Sequence, residues 1–165
     1  MKIVTILTLM TLSIPISNGF KSDEIKTVHK NPIHSECTTI GNCTIDTVDE
    51  LIEALIWVES GGIEDIEGDL HLGDPSIGVL QIRPIMVKEV NRILKRQGSD
   101  KRFKLKDRKN REKSIEMFMI WYNAYHSESS FEKAARNWNG GPNGWKKERT
   151  QKYWARVESY AKENL

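Results

Sequence analysis

The chain has 165 residues, 38% of them apolar, which is enough for one compact core and too little for two domains of ordinary size. Its 25 basic and 23 acidic side chains leave a formal charge of +2, so no whole-chain field favours nucleic acid. The slightly basic balance gives only a weak pull toward acidic polymers.

Residues 1–19 read as an export signal: Lys2, a mostly apolar run from Ile3 to Ile16, and small residues before a cut expected after Gly19. The run is short for a bilayer span, so a secreted or periplasmic protein with no stable membrane insertion after cleavage is expected, an uncleaved anchor being the alternative. In an exported chain the only two cysteines, Cys37 and Cys43, pair as a small disulfide loop; without export they are free thiols. Residues 20–45 lack sustained periodicity and read as a linker or N-terminal arm, and residues 46–165 as the folded unit.

Thr47-Val48-Asp49-Glu50 has the capping-box form, and Leu51, Leu55 and Val58 then recur at helical spacing, predicting a buried helix to about Glu59. Gly61-Gly62 stop it. Ile63 to Ile82 is acidic and Gly-containing, ending in GDPSIGVLQI, and suits a loop or short irregular hairpin. Pro84 opens a helix carrying Ile85, Val87, Val90, Ile93 and Leu94. Residues 98–111, dense in Lys and Arg, read as a solvated surface loop, or alternatively as a patch that attracts anionic polymer. Ile115, Phe118, Met119 and Tyr122 form a helical stripe, and Ser129 with Glu132 caps a helix leading to Trp138. A last helix begins near Thr150 and buries Tyr153, Val157 and Tyr160.

Glu59 ends an apolar helix in LIEALIWVESGG. Burial and the negative end of the helix dipole both penalise its carboxylate, so its proton should persist toward neutral pH, as a general acid requires. A Glu before Gly at a helix end is otherwise a surface residue. The segment AARNWNGGPNGWKKERTQKYWARV, through Ala135, Arg136, Asn139, Gly140, Gly141, Pro142, Gly144, Thr150, Tyr153 and Trp154, closely resembles the signature of invertebrate-type lysozymes of the destabilase family. Ser76, Gly78, Gln81 and Ile82 resemble that family's S-x-G-x-x-Q-I segment, and Glu59-Ser60-Gly61 its catalytic triplet.

The resemblance implies a mainly α, α+β lysozyme-like fold, with a central helix ending at the catalytic Glu and a loop or small hairpin on one side of a substrate cleft. It implies a secreted, bacteriolytic muramidase, a glycoside hydrolase cutting β-1,4 bonds between N-acetylmuramic acid and N-acetylglucosamine in peptidoglycan. Glu59 would be the acid. A second carboxylate, roughly 5–5.5 Å away in a retaining enzyme, is expected before the S-x-G segment, but the aligned position falls near His71. Asp74 is preferred, with Asp69 the alternate, while Glu64, Asp65 and Glu67 read as solvated charges. The expected substrate contacts are Ser76, Gly78, Gln81, Trp138, Asn139, Gly140, Gly141 and Tyr153, and Trp145 is a further stacking candidate. The Asn-Gly-Gly-Pro turn would bare backbone polar groups to sugar hydroxyls, or simply join two helices.

Two departures stand out: the family is rich in disulfides whereas this chain has two cysteines, and Trp138 stands where members often carry His. His29, His34, His71 and His126 form no metal-ligand pattern, so no metal or cofactor is expected. A monomer acting on peptidoglycan strands is the expectation, with a lytic transglycosylase forming 1,6-anhydromuramyl products, or an inactive peptidoglycan-binding module, as alternatives.

Overall fold

The computed structural model describes residues 45–165. The export signal, the cysteine pair, His29 and His34 lie outside them.

Among the described residues five α-helices and one small hairpin make a mainly α fold. Helix α1 (Val48–Ser60) starts at a capping box in which the Glu50 amide donates to Thr47 Oγ1 and the Glu50 carboxylate accepts from the Thr47 amide. It stops where Gly61 turns left-handed at φ 61°. Leu51, Ile52, Ala54, Leu55 and Ile56 are all buried, on more than one stripe of the helix, which requires neighbours on several sides. Helices α4 (Phe131–Gly140) and α5 (Arg149–Asn164) both pack against it.

After α1 the chain forms an antiparallel hairpin of strands β1 (Glu67–Gly68) and β2 (Ser76–Ile77), with Glu67 opposite Ile77 and Gly68 opposite Ser76. Helix α2 (Pro84–Arg96) begins at the proline and buries Val87, Val90, Ile93 and Leu94; Ile85 points outward. Helix α3 (Arg111–Tyr125) packs on α2 and supplies Met117, Phe118, Trp121 and Tyr122 to the core. Phe118 and Trp121 meet Trp138 of α4 edge-on, with ring centroids 5.0 and 5.1 Å apart.

Three expectations are corrected. The basic stretch 98–111 is not simply a solvated loop: Phe103 is buried, and a 3-10 turn at Leu105–Lys109 buries Asp107 and Arg108. Asn91 of α2 fixes the approach, its side chain donating to the Phe103 carbonyl at 2.9 Å and accepting from the Phe103 amide at 2.8 Å. The cap of α4 is Ser130, whose hydroxyl accepts from the Lys133 amide, because the Ser129 hydroxyl is engaged with His126 Nδ1 at 3.3 Å. Finally, α5 buries Tyr153 and Val157 but leaves Tyr160 partly exposed, where it stacks on Trp57 at 5.3 Å.

Candidate functional site

A cleft of about 1060 Å³ runs between the hairpin and the C-terminal end of α4, and Glu59 lies in it. The acid arrives there because α1 ends one residue later at Ser60, whose hydroxyl donates back to the Ile56 carbonyl at 3.0 Å. No basic residue sits in the last turn of α1 to offset the negative end of the helix. Burial pushes the Glu59 carboxyl up from 4.5 to about 7. The Tyr153 hydroxyl, donating to Glu59 Oε1 at 2.7 Å, and the Arg156 cation pull the other way, and the Asp69 charge adds a smaller upward push. Near pH 7 the group is therefore shared between a proton donor and a carboxylate.

The hairpin wall is held from within. Ser76 Oγ donates to Gln81 Oε1 at 2.8 Å, and Gln81 Nε2 donates to the carbonyls of Gly78 (3.0 Å) and Ile66 (3.3 Å). The Gln81 amide thus ties the wall together while bordering the cleft. Arg108, buried beneath the hairpin, donates to the carbonyls of Pro75 at 2.9 Å and Ile82 at 3.0 Å. Its own carbonyl oxygen would lie 1.9 Å from a Cβ at position 78, where φ is +83°, so only glycine fits. This long-range strut is invisible to sequence periodicity.

The opposite wall is built around Arg136 and Thr150. Arg136 Nε donates to Thr150 Oγ1 at 3.1 Å, and its Nη1 pairs with Glu132 at 2.6 Å. The Thr150 hydroxyl also lies 2.7 Å from the carbonyls of both Gly144 and Lys147. A Cβ on Gly144 would lie 2.0 Å from the Arg136 carbonyl oxygen. Asn137, which sequence reasoning missed, is buried and accepts from the Trp145 amide at 2.9 Å, fixing the 3-10 turn Gly144–Lys146 that carries Trp145.

Of the residues singled out in the sequence, Glu59, Ser76, Gln81, Trp138, Asn139, Gly140 and Gly141 line the cleft together with Trp145. Tyr153 is buried and bonded to Glu59, and Gly78 is packed against the Arg108 carbonyl; neither lines the cleft. Asp69 lines the cleft and its charge is felt by Glu59, whereas Asp74 lies outside the lining and its carbonyl accepts from Arg83 at 3.4 Å. Asp69 gets there through a left-handed backbone, φ 54°, at the turn out of β1. Missed altogether were Glu89, Arg92 and Tyr125, which line the cleft and join one another through hydrogen bonds. Among the described residues no group of three His, Cys, Asp or Glu is placed to hold a metal ion, and no helix is long and apolar enough to cross a membrane.

No family model and no curated protein matches the chain. A solved structure does match. It is a chain of the crystal structure of Aeromonas hydrophila PliI in complex with Meretrix lusoria lysozyme, 20% identical, covering 72% of this chain and 92% of that one at a TM-score of 0.54. The likeness is one of fold, and it does not place the protein in the destabilase family. The sequence-based assignment of a secreted bacteriolytic muramidase, a glycoside hydrolase, is withdrawn on this finding: the neighbour comes from a complex of PliI with a lysozyme, and the shared fold assigns this chain no enzymatic activity.

Proposed function

We propose that the cleft binds an extended β-1,4-linked amino-sugar glycan of the bacterial cell-wall kind, with the Glu59 carboxyl as a hydrogen-bonding group at its centre. The observation that carries this reading is a carboxyl raised to about 7 inside an open cleft lined by amide, indole and glycine groups. Neutral Glu59 donates a hydrogen bond that a carboxylate cannot. The Asn139 amide suits hydroxyl and N-acetyl groups, Trp138 offers an apolar ring to a sugar face, and Asp69 also lines the cleft.

Calorimetric titration of the full chain with β-1,4-linked N-acetylglucosamine oligomers and with cell-wall glycan fragments tests the reading. Binding is expected at pH 5 and should weaken as the pH rises through about 7, where Glu59 loses its proton. Glu59→Gln, a permanently neutral donor, should bind at both ends of the range. Chain lengths of the recovered glycan show whether anything beyond binding occurs, and absence of binding from pH 5 to pH 8 would overturn the proposal.

A second reading comes from the neighbour, a chain of a complex between PliI and a lysozyme. Under it, this chain docks on a lysozyme and blocks its action. It rests on the fold likeness alone and on no residue of the cleft, and so ranks second. A lysozyme added in place of glycan should then form a stoichiometric complex and lose activity.

A further inference from the structure

His126 follows the last residue of α3, with its ring turned into the fold. Only 5% of the residue is exposed and its imidazole lies 4.5 Å from the Trp121 ring, yet it lines the cleft. Nδ1 is 3.3 Å from the hydroxyl of Ser129, a residue outside the lining. The other ring nitrogen, Nε2, has no hydrogen-bond partner among the described residues. A polar atom so buried is costly to leave unbonded, which points to a partner from outside the chain. The surroundings keep the ring neutral. Burial first, and the Lys133 ammonium of α4 second, hold the imidazole below its ordinary 6.5. No nearby carboxylate counters them: Glu132 of α4 pairs with Arg136, Glu89 of α2 is bonded to Arg92 and Tyr125, and Glu128 in the same turn is exposed.

We propose that His126 is a ligand-contacting residue of the cleft, its Nε2 accepting a hydrogen bond from a hydroxyl or amide N–H of the bound molecule. The proposal rests on the glycan-binding reading and adds a second titrating contact to that site. Nδ1 donates to the partly exposed Ser129 hydroxyl, whose own hydrogen is free to turn to water, so the lone pair on Nε2 is left for the ligand. The side chains of Lys133, Arg149, Trp138 and Trp145 in the same lining can only donate. An acceptor among them meets the other half of what a hydroxyl requires. Two protonation states then bound the working range. Glu59 must hold its proton and His126 must lack one, so affinity should fall above about 7 and fall again on the acid side of the imidazole's range.

The test titrates the full chain with β-1,4-linked N-acetylglucosamine oligomers by calorimetry between pH 4 and pH 8, and follows nitrogen-15-labelled imidazoles by long-range proton–nitrogen correlation. Wild-type affinity should pass through a maximum. At saturation near pH 6 the Nε2 resonance of His126, assigned by its loss in a His126 variant, should move more than its Nδ1 resonance. His126→Phe keeps a ring against Trp121 but should bind about tenfold more weakly at that pH. It should also lose the acid limb of the profile while keeping the limb set by Glu59. His126→Gln, an acceptor that does not titrate there, should recover most of the affinity, again without the acid limb. An Nε2 resonance that stays still at saturation, wild-type affinity in His126→Phe, or an acid limb that survives in both variants would overturn the contact. The resonance decides even where neither variant folds. If the wild type binds no oligomer at any pH, the glycan-binding reading fails and takes this contact with it.

Discussion

On one side of the cleft the wall is four paired residues, Glu67–Gly68 and Ser76–Ile77; on the other it is the ten-residue α4, a 3-10 turn and the sixteen-residue α5. The two walls are nonetheless fastened alike. Each has a buried arginine, Arg108 or Arg136, whose guanidinium reaches across to backbone or hydroxyl oxygens. Each also has a glycine, Gly78 or Gly144, pressed onto the carbonyl of that same arginine. What differs is the backing. The helical wall packs directly on α1, while the hairpin is tied by polar contacts from Gln81 and Arg108 and reaches the core only through Val79, Leu80 and Ile82 just after β2, so loosening the two walls should have different reach.

The largest expected effect is Gly144→Ala. A Cβ 2.0 Å from the Arg136 carbonyl forces backbone apart in the wall that packs on the core, and a global loss of about 3 kcal/mol is expected in urea unfolding. Gly78→Ala meets an equal clash and adds left-handed strain, yet its damage should stay local, with amide exchange rising in residues 66–82 and little elsewhere. Equal loss of protection on both sides would show that the walls open as one unit.

Glu59→Gln probes the base between the walls. The folded-state carboxyl binds its proton more tightly than the unfolded one, about 7 against 4.5, so between those values the folded form carries more protons and wild-type stability falls as pH rises. The variant lacks this loss. It should match wild type near pH 4 and exceed it above pH 7 by up to about 3 kcal/mol; parallel pH profiles would refute the burial of that charge.

Smaller still is Thr150→Val, which removes the hydroxyl shared by Arg136, Gly144 and Lys147 and should cost about 1–3 kcal/mol by urea midpoint. Smallest is Tyr153→Phe. Losing a donor that favours the charged form should move the Glu59 titration, followed by carboxyl carbon resonances, upward from about 7; a downward move would mean that the hydroxyl does not stabilise the carboxylate.

What the sequence disclosed follows a physical divide. The start and stop of α1 were legible because a capping box and a left-handed glycine are decided within a few residues. The helical stripes of α2 and α3 were legible because periodicity reports burial. The α4 cap was misplaced by one residue because two serines compete and a contact to His126 decides between them. Arg108 read as a solvated charge because its acceptors lie 33 and 26 positions away. Asp69 reaches the cleft lining through a left-handed turn, which no spacing rule supplies. The muramidase assignment came from short motifs, and motifs report local chemistry together with a fold that can be shared without the activity.

The hairpin tip carries one more consequence. Its strands are fixed at Gly68 and Ser76, whereas Leu70 is 73% exposed and a Cβ on Gly73 would meet no neighbour. Residues can therefore be inserted between Leu70 and Gly73 without moving the acid at the floor. The reach of the hairpin tip beside the cleft can therefore change while the setting of the Glu59 carboxyl stays as it was.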